Sequence, residues 1–340
     1  MRKYKAALLS IGLLLGPLVG TAQAGTLENI QQRGHLNCGV STSQPGFSIT
    51  NAEGRWTGFD VDFCRAIAAA IFDDPEKVKF TPLTAAQRFT ALQSGEIDVL
   101  SRTTTWTMSR DISIGIIFTD INYYDGQAFM VAKKLNINSI GALNGASICV
   151  SQGTTTELNV ADYFRAHNMK YDIIAYSTPA EAIAAYESGR CDAFTTENAG
   201  LYGARLQLSK PDDHVILPGI ISREPFAPAV RRGDSGWFDV VRWVGYALVN
   251  AEILSVSQSN VTAMEKTDNP EIKRLLGIEG KFGESIGISN GWVKRIVTKV
   301  GNYGDIYSRN LGENSAKLNI PRGLNALWSN GGLQYAPPIR

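Results

Sequence analysis

Three short stretches carry side chains suited to gripping a small zwitterion. The first is Ser101-Arg-Thr-Thr-Thr-Trp-Thr-Met-Ser-Arg110, where the hydroxyls of Thr103 and Thr105, an N-cap candidate at Thr107 and the guanidinium of Arg110 fall within ten residues. A guanidinium offers a carboxylate two parallel donors, and a helix start adds amide donors and a favourable dipole. The second is Ser151-Gln-Gly-Thr-Thr-Thr-Glu157. Thr154 and Glu157 have capping-box spacing, which would engage their own amides and leave those of Thr155 and Thr156 for an anion. The third is one carboxylate, Glu197, able to neutralise an ammonium. Each has a plainer reading: Arg110 paired with Asp111 or Asp120 in a solvated turn, an ordinary cap at Thr154, and a surface ion pair from Glu197 to Arg190 or Arg205.

Hydrophobic periodicity indicates the elements that must position these groups. Leu36–Val40 reads as a strand, Gly58–Phe72 as a helix, Val78–Thr81 as a strand, Ala85–Gln93 as a helix stopped at Ser94-Gly95, and Ile97–Ser101 as a strand. The second half follows the same order, with strand Ala146–Val150, helix Glu157–His167, strand Tyr171–Tyr176, helix Pro179–Glu187 and strand Cys191–Thr195. The echo is literal in one place, since Ala91–Asp98 and Ala185–Asp192 both read A-x-x-S-G-x-x-D. Alternating strands and helices predict an α/β fold of two βαβ-type lobes with parallel sheets. All three chemical stretches then lie at the carboxyl ends of strands, where open α/β sheets bind ligands. Beyond about residue 225 the pattern is mainly helical, with Trp237–Leu254 and Trp292–Val300 as helices. Trp237, Phe238, Trp243 and Tyr246 are read as core, and Ala316–Arg340 as surface turns.

Residues 1–24 read as a signal peptide: Arg2, Lys3 and Lys5, an apolar run Ala6–Gly20, then Ala22-Gln23-Ala24. The run is short of the roughly 20 residues of a spanning helix, so cleavage is favoured over an uncleaved anchor. No cysteine follows the cleavage site to carry a lipid. Removing these 24 residues from 340 leaves 316, with 30 basic against 32 acidic residues. That balance provides no field for nucleic acid or anionic lipid. A chain of this length exceeds one core and should divide into two lobes.

The four cysteines, Cys38, Cys64, Cys149 and Cys191, form no CxxC pair, and His35, His167 and His214 are scattered, so no metal or redox cofactor is expected. An oxidising compartment makes disulfides the default, and three pairings are possible. Two cysteines fall in each half of the echo, which favours Cys38–Cys64 and Cys149–Cys191, although the second pair then joins neighbouring strands.

Taken together, these stretches resemble the type II periplasmic solute-binding proteins for polar amino acids, extracellular solute-binding protein family 3, and most closely the subgroup serving general L-amino acid ABC transporters. The similarity runs from about Leu27 to Asp234. It is carried by Trp56-Thr-Gly-Phe-Asp-Val-Asp62, Ala91–Asp98, Thr105 to Arg110, Ser151-Gln-Gly-Thr154 and Ser188-Gly-Arg-Cys-Asp192. It implies two lobes, 25–122 plus 226–340 and 128–221, joined by hinge strands near 121–127 and 219–226, with a helical C-terminal extension. By the same resemblance Arg110 and Thr105 hold an α-carboxylate with the Thr155 amide, while the Thr103 carbonyl and Glu197 take the α-ammonium. Phe47, Gln44 and Ser41 would wall the ligand side chain, with Ser151 and Arg102 at its tip.

Four positions depart from the family pattern: Glu197 replaces the usual Asp, Gln44 a lid aromatic, Ser41 an acid that pairs with basic ligands, and Ala85 a second aromatic wall. The lost contacts imply a broad range of L-amino acids. The implied protein is a periplasmic monomer, not an enzyme, that needs no cofactor and delivers its ligand to an inner-membrane ABC permease. Two other classes remain open. One is a dehydratase of prephenate-like acids on the same fold, against which stands the lack of a Ser/His/Asp or metal constellation. The other is a sensory subunit presenting its ligand to a receptor.

Overall fold

Leu36–Ser41 is buried at every position except the half-buried Asn37, the pattern of a strand covered on both faces, and it forms β1. A small hairpin follows, β2 (Ile49–Thr50) and β3 (Trp56–Thr57), then β4 (Val78–Leu83), β5 (Val99–Leu100) and β6 (Ile116–Phe118). The chain leaves this group through β7 (Tyr123–Asp125). It then builds β8 (Gln127–Ala132), β9 (Ala146–Ser151), β10 (Tyr171–Tyr176), β11 (Ala193–Glu197) and β12 (His214–Ile216). It returns through β13 (Glu224–Phe226) to β14 (Ala229–Arg231). The computed structural model describes residues 25–315 and 317–340, so the signal-peptide reading of residues 1–24 falls outside the described residues, as does Ala316.

Two five-stranded sheets result, ordered β4-β1-β5-β14-β6 and β10-β9-β11-β8-β12. The orders match place for place, giving two α/β lobes. In each, the fourth strand is antiparallel to both neighbours, whereas the sequence predicts wholly parallel sheets. The cause is the crossing: β8 and β14 enter directly from the other lobe, not after a helical crossover. The two crossing strands, β7 and β13, pair antiparallel with each other, Asp125 opposite Glu224 and Tyr123 opposite Phe226.

The literal repeat has a structural cause. Asp98 accepts the amide of Asn37 at 2.8 Å and its own amide donates to the Asn37 carbonyl at 2.9 Å. Asp192 does the same to Ser147, accepting its amide at 2.8 Å and returning a bond of 2.9 Å. Asn37 and Ser147 are each the second residue of the strand beside which the Asp-led strand must lie. The Asp therefore sets strand register in both lobes. The cysteines pair within lobes: Cys38 on β1 with Cys64 on the helix Phe59–Phe72, and Cys149 on β9 with Cys191 before β11.

Some boundaries move. The helix expected at Ala85–Gln93 begins at Arg88, because Thr84 and Gln87 close a side-chain turn ahead of it. The helix expected at Glu157 begins at Thr155. The C-terminal helices pack with β1 and the helix Phe59–Phe72 into one apolar cluster. Trp237 is buried there and its indole donates to the Asp98 carbonyl at 2.9 Å. Phe238, Trp243 and Tyr246 are only half-buried at the cluster's edge, since the helix Ser235–Ile253 turns that flank toward solvent. The final residues reach back to the crossing, where Asn325 accepts the Tyr124 amide at 2.7 Å and donates to its carbonyl at 3.0 Å.

Candidate functional site

The segment after β5 turns back sharply, and Thr103 takes a left-handed backbone, φ 35°, which a β-branched residue adopts only under constraint. The constraint is Asp60, in the first turn of the helix Phe59–Phe72, whose carboxylate accepts the Thr103 amide at 3.0 Å and the Ser101 hydroxyl at 3.4 Å. Burial pushes the Asp60 carboxyl up to about 7, against the Thr103 amide and the charge of Arg102. The Thr103 hydroxyl donates to Gln44 at 2.9 Å. Three residues on, the Trp106 amide donates to the Pro225 carbonyl at 2.8 Å, tying the loop to β13.

Thr107 caps the next helix by accepting the Arg110 amide at 3.3 Å. The Arg110 guanidinium donates to the Thr105 carbonyl at 2.9 Å and lies 5.5 Å from the centre of the Phe89 ring. It pairs with neither Asp111 nor Asp120 among the described residues; Asp111 faces Arg232 instead, at 3.6 Å. Burial lowers the Arg110 pKa, and the charges of Glu224 and then Glu197 oppose that shift.

From the second lobe, β9 ends at Ser151 and Thr154 starts the helix Thr155–Ala166 by accepting the Glu157 amide at 3.2 Å. The expected capping box is only half formed: the Glu157 carboxylate takes the Gly153 amide at 2.8 Å rather than that of Thr154. The turn before the helix presents Gly153 to the carboxylate first. Thr105 and Thr155 bring their hydroxyl oxygens within 3.2 Å across the seam between lobes. Glu197 closes β11 and is buried, accepting the Thr196 hydroxyl at 2.5 Å. Burial raises its pKa, and the neighbouring charge of Glu224 raises it further.

The cleft between these ends measures about 680 Å³ with its mouth included. Of the sequence-predicted residues, Arg110, Thr105, Thr103, Gln44 and Arg102 line it from one side and Ser151, Thr155 and Glu197 from the other. Phe47 and Ser41 do not. The turn that bonds Gln44 to Ser48 points Phe47 inward, among Phe59, Tyr123 and Phe226 at 5.3 to 6.2 Å. Ser41 is fully buried, its amide donating to Ser48 at 3.1 Å.

Two charged residues, Arg88 in the cleft lining and Glu224 bonded behind Thr105 and Thr155, escape sequence reasoning. Arg88 lines the cleft with 3% of its surface exposed, and its Nε has no partner. Burial drives its pKa well down, with Arg102 and Arg110 adding to the effect. The available signal was its place at the start of a helix, where a cation is disfavoured unless an anion joins it. Glu224, on β13, is fully buried and accepts four donors: Thr105 and Thr155 hydroxyls, Asn159 and Ser222. Nothing in Arg223-Glu224-Pro225-Phe226 announces it, because three of its four partners come from two segments distant in sequence.

Arg88, Arg102 and Arg110 form no ion pair among the described residues, and Arg102 spends its Nε on the Leu83 carbonyl at 2.8 Å. The cleft thus offers unpaired guanidiniums beside a buried carboxylate, a set complementary to a ligand carrying both charges. No cluster of side chains suited to a metal ion occurs among the described residues, and no described helix is long and apolar enough to cross a membrane.

Comparison with known proteins agrees. The model of the bacterial extracellular solute-binding proteins, family 3, matches residues 36–275. The general L-amino acid-binding periplasmic protein AapJ of Rhizobium johnstonii is 53% identical over 98% of this chain and 97% of its own. The glutamate/glutamine/aspartate/asparagine-binding protein BztA of Rhodobacter capsulatus is 48% identical over 99% of both chains. Among solved structures, an ABC transporter/periplasmic binding protein from Brucella ovis with glutathione bound superposes with a TM-score of 0.92 at 58% identity, covering 94% of this chain and 100% of that one.

Proposed function

The chain belongs to the bacterial extracellular solute-binding proteins, family 3, and from that premise we propose that it captures free L-amino acids in the periplasm for an inner-membrane ABC permease. The observation that carries this reading is the meeting of Arg110 and Thr105 with the helix start at Thr155 across a seam of 3.2 Å. A ligand α-carboxylate placed there receives the guanidinium, and the first-turn amides of the helix add donors at its positive end. Glu197 and the Thr103 carbonyl then face the α-ammonium. Gripping only the part that all amino acids share leaves the side chain loosely specified, in keeping with Gln44 and Ala85 at the wall.

Charge counting refines the ligand class. Of the three guanidiniums at the cleft, Arg102 has Asp60 and Glu197 beside it and Arg110 has Glu224 and Glu197, whereas Arg88 is buried with its Nε unpartnered and would be left unanswered by a zwitterion. Ligands with a second carboxylate answer it, with Arg88 as the counter-ion. The named ligands of BztA include glutamate and aspartate, and glutathione, bound in the Brucella ovis protein, carries two carboxylates.

The lobes of this reading are residues 25–122 plus 226–340 and residues 128–221, closing as rigid bodies about β7 and β13. The closed shape is what a permease reads, and the carrier acts as a monomer without chemistry of its own. None of the three histidines lines the cleft, and the relatives are named as binding proteins, which disfavours a dehydratase. A thermal-shift screen of residues 25–340 against the proteinogenic amino acids, glutathione and prephenate tests the proposal. Many amino acids should raise the melting temperature, acidic ones most. Stabilisation by prephenate alone, with turnover, would overturn it.

A further inference from the structure

Glu224 is fixed from both lobes at once. On one side, the loop after β5 is already married to β13 by backbone, through the Thr105–Phe226 bridge and the bond from Trp106 to Pro225. That loop and β13 therefore move together. On the other side, the Glu224 carboxylate accepts the Thr155 hydroxyl at 2.8 Å and the Asn159 amide at 2.5 Å. Thr155 and Asn159 are four residues apart on one helix and so share a face. Ser222, two residues back on the crossing segment, completes the carboxylate at 2.8 Å and also accepts the Gln127 amide, at 3.2 Å, where the other crossing ends.

We propose that Glu224 is a positioning residue that latches the closed cleft, holding the helix start of the second lobe against the ligand loop of the first. Rotation about β7 and β13 breaks its bonds to Thr155 and Asn159 and leaves those to Thr105 and Ser222 intact. Hydrogen bonds to a buried charge are the strong kind, and here two of them exist only when the lobes meet. A latch that favours closure equally for every ligand raises all affinities by one common factor, and it does so by slowing opening. The same carboxylate spends the Thr105 and Thr155 hydroxyls on the protein, so that the amide of Thr155 and the guanidinium of Arg110 are what remain to face the ligand.

The inference rests on the capture reading, and rapid-mixing kinetics on residues 25–340 separates the two. Glu224→Ala should speed dissociation about tenfold for each of glutamate, glutamine and alanine and leave association within twofold. Asn159→Ala, remote from the cleft lining, should show the same split at about threefold, and it carries the test if Glu224→Ala does not fold. Unchanged dissociation, or a change confined to one ligand, overturns the latch while leaving the carrier reading in place. Should the parent bind no amino acid at all, the carrier reading falls. The latch is then read from small-angle scattering of the unliganded protein, where Glu224→Ala must widen the lobe separation or be discarded.

Discussion

The two lobes share a sheet order place for place and a literal eight-residue repeat, yet they serve the cleft differently. The first lobe has one small core of its own and a larger one shared with the C-terminal helices, and it bears the buried Arg88 and Arg102, the half-buried Arg110 and the strained loop held by Asp60. The second lobe has two smaller cores and offers a helix start, a cluster of hydroxyls and Glu197. Duplicated architecture thus leaves room for a division of labour. The buried guanidiniums sit on the lobe that the C-terminal helices enlarge, because a guanidinium out of water needs fixed surroundings. Backbone amides need only a well-placed helix.

The contrast is sharpest in substitutions that touch one lobe at a time. Arg110→Ala, on the first lobe, should weaken every amino acid at least a hundredfold by calorimetry, because a desolvated carboxylate loses its charged partner. Glu197→Gln, on the second, should weaken all ligands about tenfold through the ammonium contact. An effect confined to basic ligands would move Glu197 to the side-chain pocket and break the assigned division.

A smaller effect tests the extension. Asn325→Ala frees the Tyr124 backbone on β7 and should cost about 1 kcal/mol in denaturant unfolding while altering affinity less than threefold. A binding loss as large as that of Arg110→Ala would make the extension part of the site.

The smallest expected effect concerns the repeat itself. Asp98 and Asp192 make the same backbone clamp, but burial raises the pKa of Asp98 whereas the Ser147 hydroxyl and amide lower that of the exposed Asp192. A raised carboxyl binds protons on folding, so its contribution to stability falls as pH rises through the usual carboxylate range. A lowered one contributes above that range and is lost on acidification. Asp98→Asn should therefore flatten the decline of melting temperature toward neutral pH, and Asp192→Asn the decline toward acid. Matching pH profiles for the two variants would mean that the repeat is alike in chemistry as well as register.

Most of this architecture was legible in the sequence. Period-2 and period-3.6 patterning placed Tyr171–Tyr176 and Pro179–Glu187 with the bounds observed, and the doubled A-x-x-S-G-x-x-D revealed the two lobes. Local signals also found Arg110, Thr105 and Thr155, because caps and strand ends are short-range features. What escaped was set by long-range geometry. Phe47 looked like a wall residue until the Gln44–Ser48 turn drew it into the core. Arg88 and Glu224 went unremarked because the segments that bury them are distant in sequence.

A crystal structure of residues 25–340 with L-glutamate bound bears most directly on the whole account. The α-carboxylate should lie about 3 Å from the Arg110 guanidinium and the Thr155 amide, with the α-ammonium at a similar distance from Glu197. Glutamate seated outside this cleft, or reversed so that its ammonium faces Arg110, would contradict it.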